Sequence, residues 1–137
     1  MPAVSFSRIY QFSAAHRLHS SKLSAQQNQE IYDKCNNLYG HGHNYFVEVT
    51  VWGQPDAETG MVYSLELLDR QVKRVLDRLE HRHLNNEIPF FKERPSTGEV
   101  IVQYLWQELS KEIPGDKLYH VRLWETRNNY FEIGKEI

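Results

Sequence analysis

Three histidines have the residue type and spacing of a metal site: His16, His41 and His43. One glycine separates His41 from His43, so in a β-strand both imidazoles lie on one face, about 7 Å apart at roughly 3.3 Å of rise per residue. His16 ends an earlier alternating segment on its apolar parity, and antiparallel pairing would bring the two strand ends together. Zinc prefers four tetrahedral ligands, so three neutral imidazoles leave one position open for Lewis-acid catalysis. Taken alone, the His41 and His43 pair fits equally well two polar residues at a strand start.

The single cysteine, Cys35, precedes this pair with five residues between it and His41. The intervening loop can fold the thiol over the metal site, where it would serve as a base or as a fourth ligand. The alternative is a small buried hydrophobic residue, the usual setting of a free cysteine. One cysteine cannot form an internal disulfide, which fits a reducing compartment.

Two acidic positions also have types suited to chemistry. Glu80 stands beside His81, and a carboxylate next to an imidazole can support proton transfer; alternatively, His81 is a favourable cation at the end of a helix. Glu125 continues the apolar parity of its strand, so we expect it to face the core or a pocket. There it could accept two N–H bonds from a heterocycle with a 2-amino and ring-NH edge, as in guanine or a pterin. The alternative for Glu125 is an exposed strand end.

Two alternating segments, two amphipathic helices and a C-terminal hairpin must position these residues. The pattern predicts strands over 4–16, 41–51, 119–125 and 130–133, a helix capped by Ser64 that ends near Glu80 and His81, and a helix from the capping box Ser96 to Glu99 that stops at Pro114. Residues 20–29 and 35–40 lack periodicity and indicate a loop that can contain one helical turn. We therefore predict an α+β fold of ββααββ order, with a four-stranded antiparallel sheet and both helices on one face.

Length and composition restrict the class of protein. The 137 residues predict one domain over 1–137, and 40% hydrophobic with 25% charged residues is typical of a globular protein. A formal charge of −2 without a basic stripe argues against a nucleic-acid partner. No run approaches the roughly 20 apolar residues that cross a bilayer, and the N-terminus lacks a signal-peptide pattern. We expect a cytoplasmic protein without a membrane partner.

Over nearly its whole length the chain resembles the 6-pyruvoyltetrahydropterin synthase family. The motifs that carry this resemblance are 12–19 (FSAAHRLH), 35–37 (CNN), 40–45 (GHGHNY), Glu125-Thr126 and Asn128-Asn129. The resemblance implies the tunnelling fold, in which the sheets of three subunits close into a barrel and two trimers stack into a homohexamer. It also implies conversion of 7,8-dihydroneopterin triphosphate into 6-pyruvoyltetrahydropterin with elimination of triphosphate, for tetrahydrobiopterin biosynthesis. Zinc is then required and Mg²⁺ assists.

The resemblance also assigns roles to individual residues. It implies zinc at His16, His41 and His43, a general base at Cys35, a proton relay through His81 that meets Cys35 across a subunit boundary, a pterin anchor at Glu125 and a hydroxyl contact from Thr97. Two positions depart from the family pattern. Glu80 stands where the family usually has the aspartate of the relay, and Gly98 stands where a second threonine is common.

Two other functions remain open at this point. A 6-carboxytetrahydropterin synthase shares the fold, the zinc site and the substrate but releases acetaldehyde and serves deazapurine synthesis; the five residues between Cys35 and His41 argue against it. The departures at Glu80 and Gly98 also allow a zinc- and pterin-binding relative without turnover. The sequence does not choose the triphosphate ligands from the candidates Arg17, Lys22, Lys34 and Arg82.

Overall fold

A computed structural model describes residues 1–36 and 40–136, so Asn37 of the quoted motif lies outside the described part. Within it the chain forms the predicted α+β fold, although with more elements than expected. In order these are β1 (Val4–His16), α1 (Ala25–Tyr32), a 3-10 turn (Asp33–Asn36), β2 (His41–Gly53), α2 (Leu65–Leu76), β3 (Arg82–His83), α3 (Leu84–Glu87), a 3-10 turn (Pro89–Phe91), α4 (Gly98–Glu112), β4 (Leu118–Thr126) and β5 (Asn129–Gly134). No described helix has the length and apolarity that a bilayer crossing requires.

The described strands form one sheet of order β3-β1-β2-β4-β5. The neighbours β1 and β2, β2 and β4, and β4 and β5 are antiparallel, as predicted. One additional strand, β3, pairs in parallel with the end of β1. The predicted four-stranded antiparallel sheet was therefore wrong in the number of strands and in the direction of this strand. Sequence alternation could not reveal β3, because a strand of two residues has no measurable period.

The helices α2 and α4 cover one face of the sheet, which supplies the buried odd-numbered residues of β2 from Tyr45 to Val51. The predicted end of α2 near Glu80 was wrong, because the helix ends at Leu76. The chain turns there and reaches the sheet edge, where the His81 amide donates to the carbonyl of Ser13 at 2.7 Å. His81 has a left-handed backbone with φ of 59°. This turn carries Glu80 and His81 off the helix and onto the sheet margin.

Two further expectations about helices differ from the structure. The loop was expected to contain one helical turn, but residues 25–32 form the eight-residue helix α1 because Ser24 and Gln27 make a reciprocal capping box, although only Asn28 of this helix is buried. The cap of α4 is Thr97 rather than Ser96, since the Thr97 side chain accepts from the amide of Val100. Ser96 is fully buried instead, and its hydroxyl lies 3.1 Å from Oδ1 of Asn85.

Candidate functional site

The paired ends of β1 and β2 bring the three predicted histidines together. His16 lies directly opposite His41, and His43 follows two residues later on the same face. The ring centroids of His16 and His41 are 4.6 Å apart, and those of His41 and His43 are 4.8 Å apart. One nitrogen of each imidazole lies within 4.8 Å of those of the other two. Among the described residues this cluster contains only these three side chains, so Cys35 lies outside it.

The fully buried His16 is oriented as a metal ligand requires. Its Nδ1 lies 2.7 Å from the carbonyl of Ser96, an acceptor, so Nδ1 carries the proton and Nε2 keeps its lone pair. Both His16 Nε2 and His41 Nδ1 are buried without a hydrogen-bond partner in the described structure. Burial, together with repulsion from His41, lowers the pKa of His16 to about 4. The hydrogen bond to Ser96 acts in the opposite direction but is outweighed. Burial also lowers the pKa of His41, so these imidazoles stay neutral and fit Zn²⁺.

The 3-10 turn Asp33–Asn36 positions Cys35 beside the end of β1. Its carbonyl accepts from the amide of Leu18 at 2.8 Å, and its side chain is partly buried. Burial is the main cause that raises the pKa of the Tyr45 phenol, and electrostatic contributions from Glu125 and Cys35 raise it further.

Tyr45 is a site residue that the sequence reasoning missed, because it reads as one more apolar member of β2. Tyr45 and Glu125 adjoin the last described pair of β2 and β4, which is Phe46 with Trp124. The ring of Tyr45 stacks on Phe12 with centroids 4.8 Å apart and is fully buried. Its hydroxyl has no hydrogen-bond partner in the described structure, a property that the sequence does not reveal. Glu125 is half-buried.

Thr97 is the N-cap of α4, and Gly98, the first residue of the helix, lies against Phe131 of β5. The Thr97 hydroxyl accepts from the Val100 amide at 3.3 Å and retains its own proton for another partner. A Cβ at Gly98 would lie within 2.6 Å of three ring atoms of Phe131. The absent second threonine thus has a packing cause, because the Phe131 ring occupies the space that any larger side chain would need.

The structure brings Glu80 and His81 together at the edge of the sheet, outside the cluster of three imidazoles. His81 Nε2 lies 3.0 Å from Glu80 Oε1, and the same oxygen accepts from the amide of Ser13 at 3.1 Å. His81 lines an open cleft together with His43, Ser13 and Asn44, and the side chains of Ser13 and Asn44 bond at 2.6 Å. The His81 side chain is 76% exposed. Within one protomer, this pair is therefore not part of the histidine cluster, although His43 and His81 line the same cleft.

Comparison with known proteins finds similarity in sequence and in fold over nearly the whole chain. The sequence model of the family described as 6-pyruvoyl tetrahydropterin synthase matches residues 5–136. A 6-pyruvoyl tetrahydrobiopterin synthase of Poecilia reticulata is 46% identical over 89% of this chain and 84% of its own length. The human 6-pyruvoyl tetrahydrobiopterin synthase is 44% identical over 90% of this chain and 86% of its own. The solved 6-pyruvoyl tetrahydropterin synthase of Caenorhabditis elegans superimposes with a TM-score of 0.95 at 42% identity, covering 99% of this chain and 98% of that one.

Proposed function

The chain belongs to the 6-pyruvoyl tetrahydropterin synthase family, and we propose that it is a zinc-dependent lyase of tetrahydrobiopterin biosynthesis. It converts 7,8-dihydroneopterin triphosphate into 6-pyruvoyltetrahydropterin with elimination of inorganic triphosphate. The observation that carries this proposal is the cluster of His16, His41 and His43, with two buried imidazole nitrogens that have no partner in the described structure. A histidine cluster of this kind leaves a metal position open for substrate.

His16, His41 and His43 hold the zinc in this proposal, and the Ser96 carbonyl fixes the tautomer that His16 needs. Bound zinc would act as a Lewis acid toward the substrate's side-chain hydroxyls and so acidify the neighbouring C–H. Mg²⁺ assists by neutralising charge on the triphosphate.

Glu125 and Thr97 bind and orient the pterin. The Glu125 carboxylate accepts N–H bonds from the 2-amino and ring-NH edge, a bidentate arrangement that fixes the plane of the heterocycle. Thr97 Oγ1 already accepts from the Val100 amide, so its O–H remains available to donate to the ring. The Tyr45 ring, which stacks on Phe12 and is fully buried, lines the space between Glu125 and the imidazoles.

Cys35 is the general base that removes the acidified proton, and His81, held by Glu80, completes the proton relay. The exposed position of His81 at the sheet edge supports a relay that serves a neighbouring subunit. We propose accordingly that three sheets close into a barrel and that two trimers form a homohexamer. Such closure would cover Ile9 and Phe46, which are 61% and 43% exposed in the protomer.

Product analysis with purified zinc-loaded protein and 7,8-dihydroneopterin triphosphate tests this function. We expect stoichiometric release of inorganic triphosphate and a 6-pyruvoyl product, measured by ion chromatography and mass spectrometry. Acetaldehyde among the products would instead identify a 6-carboxytetrahydropterin synthase. Binding of zinc and substrate without any triphosphate release would identify a binding protein and refute the enzyme.

A further inference from the structure

We propose that a basic cavity next to the metal-binding histidines holds the triphosphate of the substrate. The inference rests on the proposed function and identifies a subsite of it. The cavity has a volume of about 310 Å³, within the range of small-molecule sites. What we call the basic cavity is lined, among others, by Arg17, His19, Asn85, Lys92, Glu93 and Arg94.

The charge of the basic cavity is suited to a polyanion. Arg17, Lys92 and Arg94 have cationic side chains, and none of them forms an ion pair with a carboxylate in the described structure. Glu93 is the one carboxylate in the lining. Elsewhere the arginines are mostly paired, as Arg74 is with Glu112 at 2.6 Å. Unneutralised cations gathered in a concave site raise the local concentration of anions and bind phosphate oxygens directly.

The two guanidinium groups of the basic cavity are already oriented. Arg17 Nε donates to the carbonyl of Asn36 at 3.2 Å, which leaves its two terminal nitrogens for a ligand. Arg94 Nη1 donates to the backbone carbonyl of Phe90 at 3.0 Å, and the Arg94 guanidinium carbon lies 4.1 Å from the centroid of the Phe90 ring. Side chains held in place lose less freedom when a ligand binds, which favours affinity.

The order of the strands matches the order of chemical groups along the substrate. Glu125 lies on β4, His43 on the neighbouring β2 and His16 on β1, while the basic cavity lies beyond β1 toward β3 and α3. With about 4.8 Å between strands, the histidines are roughly 5–10 Å from the pterin anchor. A pterin at Glu125 therefore extends its hydroxylated carbons over the imidazoles and its terminal triphosphate toward β3.

Hydrogen bonds tie the basic cavity to the histidine cluster. Arg17 directly follows His16, and the Arg17 amide donates to Asn85 Oδ1 at 2.7 Å. The same Asn85 oxygen accepts from the hydroxyl of Ser96, whose carbonyl accepts from His16 Nδ1. The wall of the cavity and the metal ligand are thus parts of one bonded unit, so a phosphate held there has a defined position relative to the zinc.

The same geometry separates the four cations that the sequence offered for this role. Arg82 pairs with Glu87 at 3.3 Å and lines the cleft that holds His81. Lys22 is exposed and is not part of the lining, and the Lys34 side chain lies outside the described structure. Arg17 remains, and the structure adds Lys92 and Arg94, which come from a loop far away in sequence.

The test compares the double variant Lys92→Ala/Arg94→Ala with wild type, both zinc-loaded and with Mg²⁺ present. We expect the dissociation constant for inorganic triphosphate, measured by calorimetry, and the KM for dihydroneopterin triphosphate each to rise at least about tenfold, because two charge-assisted contacts are lost. Affinity for dihydroneopterin, which lacks the phosphates, and zinc content should not change. The matched control Arg70→Ala/Lys117→Ala removes one arginine and one lysine outside the cavity and should behave as wild type.

The cavity assignment is overturned if the Lys92→Ala/Arg94→Ala variant keeps wild-type affinity for triphosphate and a wild-type KM. It is also overturned if triphosphate binds without competing with the substrate, because it would then occupy a separate site. Failure of the proposed function is read from wild type alone, as absence of triphosphate release from the substrate. An active wild type with an unaffected double variant refutes only the cavity.

Discussion

The two groups of candidate catalytic residues differ in how far one protomer completes them. The imidazole cluster is built from paired strands inside the fold, and its central member, His16, is 0% exposed. The pair of Glu80 and His81 stands at the sheet edge, where His81 is 76% exposed and forms one wall of an open cleft. One protomer completes the first group, whereas the second group stands open at the surface.

Under the proposed function, this difference separates metal binding from proton transfer. Buried, hydrogen-bonded ligands keep a fixed geometry at low energetic cost, which a metal site requires. A catalytic pair left at an exposed edge gains a fixed environment only when another surface covers it. Subunit assembly would then control catalysis without affecting metal affinity.

The most damaging change that we predict is His43→Ala. It should abolish zinc binding, measured by mass spectrometry of the metal, and lower turnover by about 10⁴-fold or more, because the several kcal/mol of Lewis-acid stabilisation are lost with the metal. As a control, His120→Ala removes an imidazole that lies 3.0 Å from Glu132 on the hairpin and should retain zinc. Full zinc occupancy in His43→Ala would show that the cluster is not the metal site.

Cys35→Ala and His81→Ala should each lower kcat by about 10²–10³-fold and leave zinc bound, as expected for loss of a general acid or base. The two variants together test the division between subunits. When they are co-expressed with different tags and purified as mixed oligomers, some sites combine an intact Cys35 with an intact His81, and turnover should recover. Mixed oligomers as inactive as their parents would place both residues in one protomer's site.

The packed start of α4 should tolerate change less well than the open cleft. Gly98→Thr should lower the free energy of unfolding by about 1–3 kcal/mol in urea at constant zinc, because the new side chain overlaps the Phe131 ring. Phe131→Val leaves room for it, so the double variant should lose less stability than the two single variants summed. Strictly additive losses would show that the ring does not exclude a side chain at position 98.

The smallest effect that we predict is that of Glu80→Asp at the open cleft. The carboxylate is kept but one methylene is lost, so the contact to His81 lengthens; kcat should fall less than about tenfold and the free energy of unfolding by less than about 1 kcal/mol. Glu80→Gln keeps the reach to the Ser13 amide and removes the charge, which separates length from charge. A larger loss of stability in Glu80→Asp than in Gly98→Thr would reverse the comparison.

Alternating parity predicted the long strands and the shared face of His16, His41 and His43, because a period of two residues fixes which side chains lie together. The same reasoning failed where tertiary contacts decide. Ser96 satisfies capping-box spacing, yet Asn85 uses its hydroxyl and Thr97 becomes the cap. β3 is too short to show a period. The amphipathic pattern of α2 could not predict its end either, because the bond of His81 to the Ser13 carbonyl directs the chain there.

The hydrogen bond between His16 Nδ1 and the carbonyl of Ser96 joins the metal ligand to the segment that begins α4. A metal on Nε2 withdraws electrons from the ring and strengthens this donor, so the metal and the Ser96 peptide stabilise each other. Binding equilibria that share such a contact are reciprocal: a ligand that orders Thr97 raises metal affinity by the same factor by which the metal raises affinity for that ligand. Under the proposed function, metal and heterocycle are therefore cooperative ligands, coupled through a single peptide group.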